Sequence, residues 1–158
     1  MSRATPATRA LDAAGIAYRL HRYDYDPGAA NLGRQAAEAL GIDPARMLKT
    51  LLLDLDGQPV CALLPVDREL SLKKLAAALG GKRASLLAAT AAERISGYRI
   101  GGISPFGQKK RLPVAIETSA LAQATVYCNG GQRGLQLEIA PDLIVNLLGA
   151  RPAELSGE

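Results

Sequence analysis

Four places in this 158-residue chain carry groups suited to acting on a polar substrate. Lys49 stands in Met47-Leu48-Lys49-Thr50-Leu51-Leu52, a cation among apolar neighbours. An ammonium there suits a phosphate, or a carbonyl oxygen that gains negative charge. It also suits a plain structural reading, in which a strand-edge lysine buries its stem and snorkels to water. The second place is Gly101-Gly102-Ile103-Ser104-Pro105-Phe106-Gly107. Adjacent glycines permit close backbone approach and positive φ. Gly101 and Gly102 would then offer peptide N–H groups to a substrate carbonyl or an oxyanion, although an ordinary tight loop has the same composition. Ser104 either faces a ligand or bonds to its own turn. Phe106, the sole phenylalanine, either walls a pocket or packs in the core. Third comes Lys109-Lys110-Arg111, a run suited to a phosphate backbone in a salt-sensitive way, or simply to water. Fourth, the turn Asn129-Gly130-Gly131-Gln132-Arg133-Gly134 could bring Arg133 to the same cleft.

Other chemistries fit poorly. There is one histidine, His21, so a Ser-His-Asp triad or a multi-histidine metal site is not expected. Cys61 and Cys128 form neither a disulfide framework nor a metal cluster. Cys61, within Pro59-Val60-Cys61-Ala62-Leu63, reads as a small buried hydrophobe, and neither thiol has a histidine near it in sequence. No metal or organic cofactor is expected. No apolar run approaches the roughly 18 residues of a membrane span, and residues 1–15 lack the apolar block of a signal peptide. The chain reads as cytoplasmic, with no membrane partner.

Charge adds a direction. The net charge is +4, but residues 73–111 hold nine basic side chains against one acid, Glu93, while the rest of the chain is net acidic. Such a segment points to an anionic partner, phosphate backbones being the commonest, or to a solvated basic face.

The elements that must position these groups follow from pattern. With 48% hydrophobic and 22% charged residues, the chain has the material for a core, and its length suits one domain over 1–158. Thr5-Pro6 opens a helix that Gly15 ends. Residues 16–21 alternate as a strand. Asn31 caps a helix stopped by Gly41, and Asp43-Pro44 starts a helical turn. Strands are expected over 50–55, with Lys49 at the entrance, and over 60–66, joined by an Asp56-Gly57 hairpin. A helix over 71–79 places Leu72, Leu75, Ala76 and Leu79 on one face. Thr90 and Glu93 read as the capping box of the next helix, ended by Gly97. Strands over 112–117, 124–128 and 135–139 precede a last helix from Pro141 to Gly149. Interspersed strands and helices predict a compact α+β domain on a mixed, mostly antiparallel sheet.

Three strings together resemble one family: Lys49-Thr50-Leu51-Leu52, then Gly101 through Arg111 (GGISPFGQKKR), then Gly130-Gly131-Gln132-Arg133-Gly134-Leu135. The chain is similar to the YbaK/EbsC aminoacyl-tRNA deacylases, free-standing relatives of the editing domain of bacterial prolyl-tRNA synthetases, and most of all to the Cys-tRNA(Pro) deacylase branch. The likeness runs from Tyr23 and the Asp26-Pro27 turn to the final helix. It implies a barrel-like sheet surrounded by helices. It also implies release of cysteine from mischarged tRNA(Pro), in a complex with prolyl-tRNA synthetase and with no DNA partner. Cysteine and proline have similar volumes, and a small apolar pocket separates such pairs by only about 1–3 kcal/mol, so a second, destructive site is needed.

By the same resemblance Lys49 is the functional lysine, contacting the terminal adenosine phosphate or the ester carbonyl, with Gly101 and Gly102 beside it. Gly101 and Pro105 fit the family's G-x-x-x-P loop. Tyr23 matches a pocket tyrosine, placed to stack on the terminal base or sugar. Asn31, Ser104, Pro105, Phe106, Asn129, Gly130 and Gln136 join it as substrate-binding positions, and Lys109, Lys110, Arg111 and Arg133 as tRNA contacts. The chain also departs from the pattern. Relatives often carry an acid where Gln136 stands and serine where Asn129 stands, and Gln136 cannot ionise to act as a base. The reaction implied is attack by the substrate's own thiol on its ester, giving a cyclic thiolactone. Water-based deacylation of alanine or another amino acid, a non-catalytic tRNA- or nucleotide-binding module, and a regulator of a synthetase are the competing readings.

Overall fold

The computed structural model describes residues 4–157. Thirteen regular elements follow one another: α1 (Pro6–Ala13), β1 (Arg19–Arg22), α2 (Leu32–Leu40), β2 (Leu48–Leu55), β3 (Gln58–Pro65), α3 (Leu72–Ala78), β4 (Ala84–Leu86), α4 (Ala89–Ser96), β5 (Val114–Glu117), β6 (Val126–Asn129), β7 (Leu135–Ile139), α5 (Pro141–Leu148) and β8 (Arg151–Ala153). The hairpin between β2 and β3 is set by its turn. Leu55 pairs with Gln58, leaving Asp56 and Gly57 as a two-residue loop with φ of 51° and 89°, the left-handed pair that matches strand twist. The Asp56 carboxylate then accepts from the Lys82 and Arg83 N–H groups, which brings β4 to the edge of β2.

The sheet expected from sequence is two sheets. One has the order β4-β2-β3-β5-β8 and is mixed, with β3-β5 and β5-β8 parallel. The other is antiparallel, β1-β7-β6. Among the described residues a parallel bridge, Met47 to Tyr127, joins them. Leu52, Leu63 and Ile116 from the larger sheet and Val126, Cys128 and Leu137 from the smaller one pack in one core, so the sheets wrap it as an open barrel. Alternation along the central strands buries the other face too: Leu53, Leu55, Val60 and Ala62 meet Leu75 and Ala76 of α3. A third cluster, of Ala36, Ala37, Met47, Val66 and Tyr127, holds α2 against the junction of the sheets.

Several expectations need correction. The strand foreseen over 16–21 is only β1, although Ile16, Tyr18 and Leu20 still pack on the core. Leu72 is 41% exposed at the first turn of α3, outside its buried face. No capping box forms on α4, which begins one residue before Thr90, after Ala88, and has no side-chain cap. Glu93 is used elsewhere, accepting from the Ile100 N–H at 2.8 Å. The short edge strands β4 and β8 were not foreseen.

Glu117 closes the far edge. It is buried, and its Oε1 accepts from Leu155 N (2.8 Å), Ser156 N (3.0 Å) and Ser156 Oγ (2.9 Å), while Oε2 accepts from Ser119 N (3.3 Å). Burial opposes its ionisation, but these donors outweigh it and hold the carboxyl below its ordinary range. Its contribution is therefore present above the unfolded value of about 4.3 and is lost as pH falls through the depressed folded one. Glu117→Ala should cost about 3 kcal/mol at neutral pH by urea denaturation, and that difference should shrink when the measurement is repeated below pH 4 or so.

Candidate active site

A cleft of about 250 Å³ opens where the two sheets and α2 meet. Its floor is the start of β2, with Lys49, Thr50 and Leu51 in its lining. One side is the first turn of α2, where Leu32 and Gly33 approach Val66. A Cβ on Gly33 would overlap the Val66 side chain, so glycine lets that helix end close on the strand. Asn31 caps this helix by accepting from Arg34 N at 3.0 Å. It is exposed and lies outside the lining. The opposite side is Ile100, Gly101 and Ile103, and the remaining wall is Tyr23, Asn129 and Gln136.

Lys49 is half-buried, and burial lowers its pKa from the usual 10.5. The carboxylates of Glu69 and Asp67 act against that shift, and Arg34 reinforces it. Among the described residues Lys49 belongs to no ion pair. Tyr23 is raised by burial, against a hydrogen bond from Gln136. Among the described residues, two buried oxygens in this lining have no hydrogen-bond partner, Thr50 Oγ1 and Gln136 Oε1, and Gln136 is only 5% exposed. Buried polar atoms are rarely left so. Here both belong to residues that line the cleft.

The glycine loop is held by side chains. The Ile100 carbonyl accepts from Arg133 Nε at 2.9 Å, opposite the Glu93 contact to its N–H. The Gly101 carbonyl accepts from Asn129 Nδ2 at 3.0 Å, and Asn129 Oδ1 accepts from Gly131 N (2.7 Å) and Gln132 N (3.2 Å). Asn129 thus joins the loop to the 129–134 turn. Gly101 has φ of 88°, and a Cβ there would run into the Tyr25 hydroxyl. Its own N–H, like that of Ile103, donates to nothing among the described residues. Gly102 differs from expectation: its N–H is committed to Arg99 O at 2.8 Å. It lies outside the lining and packs on the backbone of Gln132 and Arg133.

The rest of the loop turns inward. Ser104 is fully buried and its Oγ accepts from Phe106 N at 3.3 Å, the turn role rather than the ligand role. Phe106 is fully buried in the main core, and its carbonyl accepts from Tyr98 Oη at 2.5 Å. Pro105, Lys110 and Arg111 border a separate hollow of about 190 Å³ against Leu148. Lys109 packs at the end of α4, its N–H on Ser96 O. Gly130 is buried under Leu135, with its carbonyl accepting from Thr5 Oγ1 at 2.6 Å. The structure therefore gathers Lys49, Gly101, Tyr23, Asn129 and Gln136 at one cleft. Gly102, Asn31, Ser104, Pro105, Phe106 and Gly130 support it or lie apart. Thr50, Leu51, Gly33, Val66 and Ile103 line the cleft and were not singled out from sequence. Only Thr50, beside Lys49, carried a polar signal.

Comparison with known proteins places the chain in a family. The model of the aminoacyl-tRNA editing domain matches residues 26–147. The chain is 33% identical over 153 residues to the candidate Cys-tRNA(Pro)/Cys-tRNA(Cys) deacylase EbsC of Enterococcus faecalis, covering 96% of this chain and 93% of that one. It is 35% identical over 75 residues to the proline–tRNA ligase of Maridesulfovibrio salexigens, a match spanning 48% of this chain and 13% of the ligase. In fold it resembles a crystal structure described as a candidate trans-editing enzyme for prolyl-tRNA synthetase, with a TM-score of 0.84 and 23% identity over 99% of this chain and 100% of that one. It also resembles the hypothetical protein APE2540, with a TM-score of 0.86 and 25% identity over 97% and 100%. The matched span takes in every wall of the cleft except Tyr23, and on that span the protein belongs to the family of aminoacyl-tRNA editing domains.

Proposed function

We propose that the protein releases cysteine from mischarged Cys-tRNA(Pro), with the aminoacylated terminal adenosine in the cleft between Lys49 and the Gly101 loop. The observation that carries this reading is a half-buried lysine outside any described ion pair, in a cleft that also holds two unpartnered buried oxygens and the uncommitted Gly101 N–H. A polar, partly anionic ligand fits that set. The single-domain reading over 1–158 goes with it, as do a prolyl-tRNA synthetase partner and contacts from Lys109, Lys110 and Arg111 to the acceptor-stem phosphates.

The proposed step needs no protein nucleophile. The substrate's sulfur attacks its own ester carbonyl carbon, the carbon–oxygen bond to the ribose breaks, and the thiol proton ends on the ribose hydroxyl. The products are tRNA and a cysteine thiolactone. The protein supplies position and charge: Lys49 and the Gly101 N–H stabilise the oxygen that becomes negative. Chemistry inside the protein favours this over a cysteine nucleophile of its own. Cys61 and Cys128 are buried, which pushes both thiols up to about 12, where neither ionises at neutral pH. His21 is bound to Glu138 at 3.0 Å and is not in the cleft lining.

Release of amino acid from Cys-, Ala- and Ser-tRNA(Pro) tests the reading. Cysteine release should be fast, serine release absent, and Lys49→Ala should slow the first by about 10²–10³-fold. Turnover of alanine or serine would transfer the protein to a water-using reaction. Bound tRNA with no turnover would leave a binding module. The pH profile offers a second check. Burial lowers the Lys49 pKa, so its cation is lost at a lower pH than that of an exposed lysine. After subtraction of base-catalysed ester loss, kcat/KM should fall on the alkaline side with a midpoint below 10.5, and the residual activity of Lys49→Arg should lack that fall. In Gly101→Ala, positive φ and the crowding by Tyr25 should displace the loop, with kcat falling at least tenfold while the protein stays folded by circular dichroism.

A further inference from the structure

A second depression of about 330 Å³ lies beside the cleft, lined by Arg22, Tyr23, Asp24, Tyr25, Arg133 and Gly134. It shares Tyr23 with the cleft, so the two adjoin at that residue. We infer that this groove takes the single-stranded nucleotides immediately preceding the aminoacylated terminal adenosine, and that it reads them as stacked bases with a bridging phosphate. The inference rests on the reading that the terminal adenosine occupies the cleft.

Three observations carry it. First, the groove pairs aromatic faces with cations. The Arg133 guanidinium sits 5.4 Å from the Tyr25 ring centroid, and both tyrosines are only partly buried. Aromatic rings and guanidinium planes are the surfaces on which unpaired bases stack. An acidic peptide would use the cations and leave the rings idle.

Second, the cations are available. Arg22 and Arg133 are exposed and belong to no ion pair among the described residues. Arg22 spends Nη1 on Gln132 Oε1 at 3.2 Å, and Arg133 spends Nε on Ile100 O. Each guanidinium has five N–H donors, so both keep some for a phosphate. Asp24 is the one carboxylate in the lining, which leaves the groove net positive.

Third, the groove is tied by contacts to the loop. Tyr23 N donates to Gly134 O at 3.0 Å. Gly134, at φ of 77°, lies so close to the Tyr23 carbonyl that a Cβ would touch it. Tyr25 packs on Gly101 and Arg133 holds Ile100, so what binds in the groove presses on the elements that shape the cleft.

The test separates this from the deacylase reading. Cytidylyl-cytidine is titrated into ¹⁵N-labelled full-length protein. The amides of Arg22, Tyr25 and Gly134 should shift saturably, and Arg22→Ala should weaken binding about tenfold and lower the salt slope by about 0.7. In parallel, the cysteine ester of adenosine is compared with the cysteine ester of the trinucleotide CCA. The wild type should turn over the longer ester at least about tenfold better in kcat/KM. Arg22→Ala should lose that gain while its rate on the adenosine ester stays unchanged. Dinucleotide shifts confined to the Lys109-Lys110-Arg111 run, no shifts at all, or a gain that survives in Arg22→Ala would each overturn the groove. Saturable shifts in the groove with neither ester turned over would support it and sink the deacylase reading alone.

Discussion

The peptide at Ile100 is gripped at both ends, its N–H by the Glu93 carboxylate and its carbonyl by Arg133, and the next carbonyl, of Gly101, is taken by Asn129. No strand or helix passes through this segment, so side chains from three different places fix it. Glu93 comes from α4, Asn129 from the end of β6, and Arg133 from the turn before β7. Each bond to a charged group is worth more than a neutral one, about 1.5–3 kcal/mol when shielded and less on an exposed surface. Together they fix the loop around Gly101, whose φ is positive. The other elements of the site can be placed relative to that anchor: Tyr25 against Gly101, the 129–134 turn against Gly102, and Tyr98 on Phe106 behind them.

A site of this kind puts its design into backbone placement and one cation. That suits a reaction in which the substrate brings its own nucleophile, as proposed here, because the protein then needs to position an ester and stabilise an oxygen. It also explains how a core can carry two cysteines without chemical risk. Cys61 and Cys128 lie in the same apolar cluster, where a thiolate would be uncompensated. The one histidine faces the other way. His21, Arg46 and Thr125 surround Glu138, with Tyr127 beside the His21 ring and the Arg46 guanidinium, a polar cluster bordering the smaller sheet rather than the cleft.

Much of the frame was legible because local chemistry decides it. Asp56-Gly57 fixes a hairpin by backbone conformation, and Asn31 with Gly41, Ser71, or Pro141 with Gly149 mark helix ends through caps and left-handed residues. Lys49 among leucines marked the floor of the cleft, and Gly101, the first of the paired glycines, one of its sides. The failures share a cause, which is competition from distant partners. Glu93 had the right spacing for a capping box, but a loop N–H seven residues on claimed it. Gly102 looked like a second donor, yet its N–H closes a turn on Arg99. Ser104 and Phe106 follow the glycines in sequence but are fully buried, held by the Ser104 Oγ contact to Phe106 N and by Tyr98 on the Phe106 carbonyl. The strands β4 and β8, three residues each, exist only through pairing with β2 and β5 and have no periodicity long enough to read.

Gln136 shows how a neutral residue shapes the electrostatics of the cleft. A carboxylate at this buried position would stand in the same small cavity as Lys49, and in low dielectric the two would pair or shift each other strongly. The amide forgoes that. It donates toward Tyr23 and leaves its oxygen open, while the acids that act on Lys49, Glu69 and Asp67, are exposed and outside the lining. The field inside the cleft is thus set by Lys49 without an internal counter-charge. A positive interior with acids confined to water attracts an anionic oxygen and keeps the lysine from being neutralised by its own neighbours. The cost is the desolvation that lowers the Lys49 pKa. In this chain the position that could have carried a second charge instead leaves the first one free to act.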